Sequence, residues 1–316
     1  MRAVNVPAAG EQPQLTDLPT PTPGEGTVLV RVVAAGLNPI DNGIASGMMA
    51  QMGMEQRYPV TLGRDAAGVV QALGPGVDHL RVGDEVFGHI LLAPPISAGT
   101  LADYAVLPAA AVTVKPAGLD FVTAAALPLA GAAAADSITA VDAQPGQTIL
   151  VNGASGGVGA FAVQLLSARG VTVIATGTAD DVERLTALGA AAVVDYTADP
   201  VAEQVRARHP EGVDALINLA GYDPGQVPVA AVREGGKVAS TTVLPEQSAL
   251  AAAGLTGTSV MAAPVTETIA ALGAQAAAGD LRVPIAEVVT LDQAPQALAD
   301  LAAGGVGGKI VVSLGD

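Results

Sequence analysis

A glycine-rich segment of this chain has the residue types and spacing of a phosphate-binding turn. It reads VNGASGGVG over residues 151–159, follows an apolar run and leads into a helical pattern. Gly153 suits a tight reversal of the chain, and Gly156 suits close approach of the backbone to a pyrophosphate. Gly159 suits a helix packed closely on its strand. The free N–H groups and positive dipole end of that helix attract phosphate oxygens. The segment therefore predicts a dinucleotide-binding turn.

Apolar runs and helical patterns alternate around this turn. A second apolar run begins one helix later, which is the spacing of a βαβ unit of about 30 residues. The predicted strands, with helices between them, lie at residues 148–152, 171–175, 191–194, 213–218, 236–240 and near 256–260. This alternation predicts an α/β fold with a doubly wound parallel sheet of the Rossmann type. The tract from Ala130 to Ala135 is interpreted as buried helix, and a further helix is predicted at 264–279.

The residues before this region follow a different pattern. Short strand-like runs, separated by Pro and Gly, predict a β-rich domain and lie at 27–33, 67–73 and 84–88. The pattern changes near residue 119, and the tail from Val283 returns to strand-like runs. Two domains are therefore predicted, a β-rich one of residues 1–118 and 283–316 and a dinucleotide-binding one of residues 119–282. Chemistry is expected in a cleft between them.

Composition excludes several classes of site and partner. The 316 residues include no cysteine, so disulfides and thiolate zinc sites are excluded. His79, His89 and His209 do not have the spacing of metal ligands, so no metal site is predicted. A formal charge of −16 argues against nucleic acid as a partner. No apolar run reaches the ~18 residues of a membrane span, and no apolar signal core follows Met1, so a cytoplasmic protein is predicted.

Ordered motifs along nearly the whole chain resemble those of a known family. Besides the glycine turn they are AAGLNPID at 34–41, YPVTLGRDAAGVV at 58–70, VGDEVFG at 82–88, GTLADY at 99–104, ALPLAG at 126–131, LGA at 188–190, VDY at 194–196 and GKIV at 308–311. In this order they resemble the medium-chain dehydrogenase/reductase superfamily, and within it the zinc-free quinone oxidoreductase, or zeta-crystallin-like, branch. The resemblance implies a GroES-like β-rich catalytic domain interrupted by a Rossmann domain, a nicotinamide cofactor, no zinc, and often a homodimer.

The expected cofactor site combines the glycine turn with the carboxyl ends of neighbouring strands, where ligands of such sheets gather. Tyr196 and Lys309 are included because they lie in motifs that resemble those of the family. The full set is Asn152, Gly153, Ala154, Ser155, Gly156, Gly157, Val158, Gly159, Thr176, Gly177, Thr178, Tyr196, Asn218, Ala220, Gly221, Thr241 and Lys309.

The end of the second strand bears on the choice of cofactor. An NAD-binding protein usually has Asp or Glu about 20 residues after the glycines, but this chain has ATGT at 175–178. NADPH is therefore predicted over NADH. Asp180 and Asp181 stand where the family often has a basic residue. A second interpretation is that Thr178 or Asp180 caps the following helix and that Arg184 pairs with one of the two aspartates.

Asn38 and Asp41 are the catalytic candidates that the Asn-Pro-x-Asp motif implies. When a quinone or an α,β-unsaturated carbonyl accepts hydride, negative charge collects on its oxygen, and hydrogen-bond donors suffice without a metal. The amide of Asn38 is such a donor, and Pro39 holds its backbone extended or in a turn. Asn38 is alternatively a turn residue that bonds its own backbone. Asp41 either orients Asn38 or the nicotinamide amide, or caps a helix.

Two stretches depart from the family pattern. Residues 42–54 contain no tyrosine, whereas related enone reductases often have one there to protonate or polarise the substrate. The four methionines of this stretch either line an adaptable pocket or pack into the core. After Gly131 the usual threonine is replaced by alanines that precede Asp136, which is either a specialised group or a surface carboxylate.

These features predict a zinc-independent, NADPH-dependent oxidoreductase that transfers hydride to a small-molecule quinone or α,β-unsaturated carbonyl. One alternative is an enoyl-thioester or pathway-specific tailoring reductase on the same fold. Another, favoured by the missing tyrosine and threonine, is an NADPH-binding protein with little or no catalysis. A homodimer is expected, and neither nucleic acid nor a membrane is an expected partner.

Overall fold

The computed structural model describes residues 1–90, 92–263 and 265–315. Pro264, the first residue of the predicted helix 264–279, and Asp316, the last residue of the predicted β-rich domain, lie outside the described residues. The strands are β1 (Arg2–Val6), β2 (Gln14–Asp17), β3 (Thr27–Gly36), β4 (Val60–Thr61), β5 (Asp65–Leu73), β6 (Glu85–His89), β7 (Tyr104–Pro108), β8 (Val112–Val114), β9 (Thr148–Asn152), β10 (Thr172–Gly177), β11 (Ala192–Asp195), β12 (Val213–Asn218), β13 (Val232–Ser240), β14 (Thr256–Ser259), β15 (Ile285–Thr290) and β16 (Lys309–Ser313).

Helices alternate with the later strands. They are α1 (Pro39–Ala45), α2 (Met48–Gln51), α3 (Phe121–Ala125), α4 (Pro128–Ala140), α5 (Gly157–Ala168), α6 (Val182–Ala187), α7 (Val201–Arg208), α8 (Gln247–Ala252), α9 (Thr266–Ala278) and α10 (Ala294–Ala303). None of the described helices is long and apolar enough to cross a membrane.

A β-rich unit comprises Met1–Ala132 and the described residues after Ala263. β3 is central to it, because it pairs in antiparallel fashion with β5, β7 and β16. The larger sheet runs β15-β16-β3-β5-β6-β8, and a smaller one runs β2-β1-β4. Apolar positions of these strands, such as Val30, Val70 and Ile310, bury a core built mainly from aliphatic side chains. The predicted return of the tail is confirmed by the pairing of β16 with β3.

The second unit, Ala133–Ala263, contains the parallel sheet. Its strand order, β11-β10-β9-β12-β13-β14, is the doubly wound order 3-2-1-4-5-6, so the predicted Rossmann-type sheet is confirmed. Strands of such sheets are apolar throughout because both faces are covered, and the residues Ile149, Leu150 and Val151 of β9 are fully buried. β13 begins before its predicted start at 236, where Gly235 and Gly236 interrupt the apolar pattern.

The boundaries of the two compact units differ from the predicted domain boundaries. The chain leaves the β-rich unit after Ala132, inside α4, and returns to it after Ala263, whereas the sequence predicts divisions at 118/119 and 282/283. The difference arises because α3 packs against β3 and β5, and α9 packs against β8. Compactness therefore assigns α3 and α9 to the β-rich unit. The predicted domain boundaries at 118/119 and 282/283 concern the domains of the family. A division of the chain into compact units does not test them, so they stay a prediction.

Helix α4 contains the alanine tract that the sequence identified as buried helix. Ala130, Ala132 and Ala134 are at most 1% exposed, which confirms that interpretation. Three of the four methionines of residues 42–54 follow the core-packing alternative. Met49 is buried in the core of the β-rich unit, Met48 and Met54 pack against it, and Met52 is exposed.

We expect Gly88→Ala to destabilise the β-rich unit. Gly88 lies in β6 opposite β8, and an added Cβ would stand 2.1 Å from the carbonyl oxygen of Ala111. Because backbone in a sheet cannot swing aside as a side chain does, the free energy of unfolding should fall by about 1–3 kcal/mol. Urea unfolding measures this change. The control is Gly24→Ala, whose added Cβ meets nothing within 4 Å, and an equal loss in both variants would contradict the steric argument.

Candidate functional site

At two of the three predicted turn positions, contacts within the protein leave no room for any residue but glycine, whereas the third position has room for a side chain. Gly153 has a φ of +84°, a conformation that side chains rarely adopt, and an added Cβ would stand 2.9 Å from the Cβ of Ala220. A Cβ at Gly159 would stand 2.3 Å from the carbonyl oxygen of Gly153. At Gly156 the only neighbour of an added Cβ is that same oxygen, at an ordinary 3.5 Å. The space beside Gly156 is therefore left open by the described protein atoms.

Helix α5 begins at this open space. Its N-cap residue is Gly156, which has no side chain to accept a hydrogen bond from the first turn. The first N–H groups of a helix lack helical partners, so Gly157, Val158 and Gly159 present donors in front of a positive dipole end. A glycine cap, open space and uncapped donors fit the pyrophosphate of a dinucleotide.

A chain of side-chain hydrogen bonds joins the carboxyl ends of adjacent parallel strands. The N–H of Gly153 donates to Thr176 Oγ1 at 2.8 Å, and Thr176 Oγ1 donates to Asn152 Oδ1 at 3.2 Å. Asn152 Nδ2 donates to Asn218 Oδ1 at 2.7 Å, and Asn218 Nδ2 donates to Ser240 Oγ at 3.0 Å. The predicted residues Asn152, Thr176 and Asn218 are therefore brought together, and their contacts hold the glycine turn in position.

Sequence reasoning missed two hydroxyls of this chain. Besides Ser240, Thr242 Oγ1 accepts from Asn218 Nδ2 at 3.2 Å. The predicted residue Thr241 contributes its backbone N–H to the carbonyl oxygen of Asn218, at 3.2 Å. The run of hydroxyl residues that closes the apolar strand β13 was the available signal, because polar residues at the carboxyl ends of parallel strands lie at the ligand edge of the sheet.

At the end of β10 the acidic and basic residues pair with each other. The N–H and Oγ1 of Thr178 donate to Asp181 Oδ2 at 3.0 and 3.1 Å, and Arg184 Nη2 donates to Asp181 Oδ1 at 2.6 Å. Burial pushes the pKa of Asp181 upward, but these hydrogen bonds outweigh burial and hold the pKa below its usual range. Thr178 caps the 3₁₀ turn Ala179–Asp181, whereas the N-cap of the following helix α6 is Asp181, so the prediction that Thr178 or Asp180 caps that helix is not met. The interpretation that Arg184 pairs with one of the two aspartates is confirmed. Arg184 Nη2 also donates to the carbonyl oxygen of Ser155, at 3.2 Å.

The other predicted cofactor residues of this unit lie along the same edge of the sheet. The N–H of Tyr196 donates to the carbonyl oxygen of Gly177 at 3.4 Å, and the ring of Tyr196 is exposed. Ala220 and Gly221 follow β12, and Ala154 is fully buried within the turn. The predicted cofactor residues of this unit therefore lie at one edge, as a dinucleotide site requires.

A buried polar network occupies the β-rich unit. Asn38, Asp65 and Lys309 are each at most 4% exposed. Asn38 Nδ2 donates to Asp65 Oδ2 at 2.8 Å and to the carbonyl oxygen of Gly36 at 3.3 Å. Lys309 Nζ donates to Asn38 Oδ1 at 2.5 Å, to the carbonyl oxygen of Leu37 at 2.8 Å, and to Asp65 Oδ2 at 3.4 Å.

These contacts define what Asn38 and Lys309 do in this unit. Both Nδ2 hydrogens of Asn38 are engaged within the protein, one of them by nearby backbone, as the turn interpretation expected. All three ammonium protons of Lys309, which the resemblance placed in the cofactor site, are engaged as well. The observed role of both side chains is therefore to position each other and Asp65. Their catalytic and cofactor roles stay predictions.

Asp41 is fully buried beside this network. Its Oδ2 accepts from the N–H of Asn38 at 2.8 Å, and its Oδ1 accepts from the N–H of Gly63 at 3.1 Å. Burial raises the pKa of Asp41 to about 6, although the charge of Arg64 and the hydrogen bond from Asn38 oppose the shift. This contact with Asn38 is half of a capping box at the start of α1, so Asp41 has the helix-capping role that was one of its predicted alternatives, from the third position of the helix. Its catalytic role stays a prediction. The structure gives it no hydrogen bond to the Asn38 amide.

Sequence reasoning quoted Arg64 and Asp65 within a motif but assigned them no role. Both are buried, and Asp65 Oδ1 also accepts from the N–H of Leu129, at the start of α4, at 2.8 Å. The signal was an Arg-Asp pair inside the otherwise apolar segment 60–70, since charged side chains are rarely buried without a partner.

Two further predictions concern carboxylates and metals. Asp136 Oδ2 accepts from the N–H of Ala263 at 2.9 Å, which gives this carboxylate a structural role within its unit. Over residues 1–90, 92–263 and 265–315, no cluster of three or more His, Asp or Glu side chains is arranged to hold a metal ion. Zinc independence itself stays a prediction.

Two protein families match parts of this chain. The family described as alcohol dehydrogenase GroES-like domain matches residues 24–117, and the family described as zinc-binding dehydrogenase matches residues 188–312. The first match lies in the β-rich unit and identifies that unit as GroES-like. The name of the second family refers to zinc, but this chain has no cysteine to act as a zinc ligand.

Curated relatives and a solved structure extend the match. The chain is 34% identical over 223 residues to an NADPH-dependent alkenal/one oxidoreductase of Arabidopsis thaliana, covering 69% of this chain and 55% of that protein. It is thus matched to about half the length of that relative. It is 32% identical to a chloroplast envelope quinone oxidoreductase homolog of the same plant, over 71% of this chain and 69% of the relative.

A quinone oxidoreductase from Coxiella burnetii superposes with a TM-score of 0.90 at 28% identity, over 99% of both chains. The fold, the two matched families and these relatives agree with the order of motifs in the sequence. The chain belongs to the medium-chain dehydrogenase/reductase superfamily.

Proposed function

We propose that this protein is a zinc-independent, NADPH-dependent oxidoreductase that reduces a quinone or an α,β-unsaturated carbonyl. The observation that carries the proposal is the glycine turn, where Gly156 leaves open space in front of uncapped helix donors. The names of the two plant relatives, an alkenal/one oxidoreductase and a quinone oxidoreductase homolog, support the class of acceptor. A small-molecule acceptor also agrees with a charge of −16, which repels nucleic acid. A homodimer and a cytoplasmic location remain part of the proposal.

The residues of the parallel-sheet unit bind and orient the cofactor in this proposal. A bound nicotinamide cofactor supplies the hydride. The N–H groups of Gly157, Val158 and Gly159 bind phosphate oxygens, and the chain from Thr176 through Asn152 to Asn218 keeps the turn in register with the sheet. Fixing the cofactor in this way removes the entropy cost of aligning it during reaction.

We infer a preference for NADPH over NADH because β10 ends at Gly177 and is followed by Thr178, where NAD-binding proteins usually have an acidic residue. Of the two aspartates that come next, Asp180 is exposed, and the oxygens of Asp181 already accept hydrogen bonds from Thr178 and Arg184. Arg184 Nη1 has no hydrogen-bond partner among the described residues, which leaves a cationic donor near the turn. An unengaged acid would bind the ribose hydroxyls of NADH instead.

The test of the proposal is acceptor-dependent oxidation of the cofactor. We expect purified protein to oxidise NADPH, followed by its absorbance, when a panel of quinones and enones is added, and to oxidise NADH more slowly. NADPH binding that stabilises the protein thermally, without turnover of any acceptor, would favour the non-catalytic alternative. The engaged amide of Asn38 is the observation that keeps that alternative open.

We expect Gly156→Ala and Gly159→Ala to separate cofactor binding from folding. An alanine at 156 meets no close protein atom, so the melting temperature without cofactor should stay near that of the wild type. Its methyl group would occupy the space proposed for phosphate, so NADPH should bind at least about tenfold more weakly, a loss of about 1.4 kcal/mol. Gly159→Ala should lower the melting temperature itself, because its Cβ overlaps backbone.

Cofactor fluorescence titration and thermal unfolding of both variants measure these effects. Unchanged NADPH affinity in Gly156→Ala would show that the phosphates do not bind beside Gly156. An equal loss of stability in both variants would show that the turn is too tight for any side chain.

We expect the stability of the protein to fall as Asp41 ionises. Its folded pKa, about 6, lies above its ordinary value of 3.8, so the folded state binds the proton more tightly than the unfolded state. The stabilisation is complete below pH 3.8 and is lost as the pH rises through 6, by an amount on the order of 3 kcal/mol. Asp41→Asn cannot ionise, so its free energy of unfolding should decline less between these values.

Urea unfolding from pH 4 to pH 7 compares the two proteins, with Asp78→Asn as the control for net charge because that side chain is exposed. Parallel curves for wild type and Asp41→Asn would contradict the assigned titration. The amide supplies one acceptor oxygen instead of two, so at pH 4 the variant should be less stable than the wild type.

A further inference from the structure

The guanidinium of Arg64 is buried with most of its donors unused. The residue is 2% exposed, and Nη2 donates to the carbonyl oxygen of Ala98 at 2.5 Å. That is the only hydrogen bond that the guanidinium makes within the described part of the chain, although a guanidinium carries five N–H donors. Nε is fully buried and lacks a partner there. Buried polar groups are nearly always hydrogen-bonded, so this arrangement leaves guanidinium N–H groups that no acceptor among the described residues satisfies.

The neighbouring carboxylates do not supply that acceptor. Asp41 and Asp65 stabilise the charge of Arg64 across a distance, against burial, which lowers its pKa. Their oxygens, however, accept hydrogen bonds from other donors, namely the N–H groups of Asn38, Gly63 and Leu129 and the side chains of Asn38 and Lys309. The cluster therefore keeps Arg64 charged and leaves its N–H groups for a further oxygen. A guanidinium stays protonated at neutral pH even when buried.

A cavity adjoins Arg64 within the β-rich unit. It has a volume of about 130 Å³, and its walls include the apolar side chains of Ile90, Pro95 and Ile96. A cavity of about 150 Å³ holds a benzene ring, so this one suits a six-membered ring or a short branched chain. An apolar cavity beside a cationic donor set fits a small apolar molecule that carries a carbonyl oxygen.

We propose that Arg64 is a catalytic residue that donates hydrogen bonds to the carbonyl oxygen of the acceptor, whose apolar part occupies this cavity. The proposal rests on the reductase function proposed above. It assigns to Arg64 the polarisation of the substrate for which related enone reductases often have a tyrosine. Hydride adds to the β-carbon of an enone, and the π electron pair of the C=C bond moves through the carbonyl onto oxygen. Arg64 stabilises that oxygen, and a proton from water then adds to the α-carbon.

The products are the saturated carbonyl compound and NADP⁺, so one hydride and one proton balance the reduction. Arg64 stabilises charge and does not give up a proton, because its pKa is too high for acid catalysis. Donors aimed at a developing oxyanion contribute about 10²–10³-fold to kcat, which sets the size of effect to expect.

Arg64→Gln tests the proposal against Arg57→Gln. Arg57 is an exposed arginine of the same unit whose side chain pairs with Glu55. Its backbone N–H donates to the carbonyl oxygen of the cavity residue Ile96, a contact that a side-chain substitution leaves in place. We expect Arg64→Gln to lower kcat by about 10²–10³-fold with NADPH affinity unchanged, and Arg57→Gln to leave kcat at the wild-type value. Arg64→Lys should recover part of kcat, because it keeps the charge but loses the forked geometry.

Benzoate binding gives a readout that does not depend on turnover. Its carboxylate resembles the charged oxygen and its ring matches the cavity, so calorimetry on cofactor-free protein should detect binding in wild type and in Arg57→Gln but not in Arg64→Gln. If wild type oxidises NADPH with an acceptor and Arg64→Gln matches it in kcat and in benzoate affinity, the inference is overturned and the reductase function stands. In that case the donors of Arg64 bind only water.

Failure of the proposed function has a different signature. If wild type turns over no acceptor, the reductase proposal fails. Loss of benzoate binding in Arg64→Gln would then still support an oxygen-binding cavity beside Arg64. Unchanged benzoate binding in that variant would overturn the oxygen-binding cavity as well. Should Arg64→Gln not fold, Ala93→Leu decides, because Ala93 lines the cavity from an exposed position. Filling the cavity should raise KM for the acceptor by about tenfold without changing NADPH affinity, and an unchanged KM counts against the cavity as the acceptor site.

Discussion

The buried carboxylate of Asp65 is the constraint on which the β-rich unit depends. A charge removed from water must be met by donors on every side, and Asp65 meets the amide of Asn38, the ammonium of Lys309 and the N–H of Leu129. These partners come from the start of α1, from β16 and from the start of α4. One carboxylate therefore fixes three elements, one of them 244 residues away along the chain. Removing any partner would leave the remaining charges buried without compensation.

The same requirement explains why the C-terminal strand returns to this unit. β16 pairs with β3, and Lys309 at its first position reaches Asn38 and Asp65. Backbone pairing brings the strand to the sheet, and the ammonium group selects one register, because a shift of one residue would turn the lysine to the opposite face. Sheet pairing and charge compensation thus specify the same arrangement of the chain.

The sequence predicted those features whose causes are local. The strands of the parallel sheet follow from apolar runs, and the turn follows from glycines that a strand and a helix enclose. The polar network could not be predicted in this way, because Asn38 and Lys309 are far apart in sequence and only folding brings them together. Sequence reasoning consequently placed Asn38 with catalysis and Lys309 with the cofactor, although the two side chains bond each other. A role for Arg64 could not be predicted from its residue type, because only the burial of its side chain indicates one.

Hydrogen-bond saturation distinguishes the residues that hold a site from those that remain free to bind a ligand. The side-chain amide of Asn38, the ammonium of Lys309 and the carboxylate of Asp181 have partners inside their own units, so they are suited to fixing geometry. The first turn of α5 and the guanidinium of Arg64 keep donors that the described protein atoms do not use. Leaving donors unpaired costs stability unless something else accepts from them. Both sets of donors favour oxygen-rich or anionic groups, as a phosphate and a developing oxyanion are, so each unit retains unpaired donors where its proposed ligand needs them.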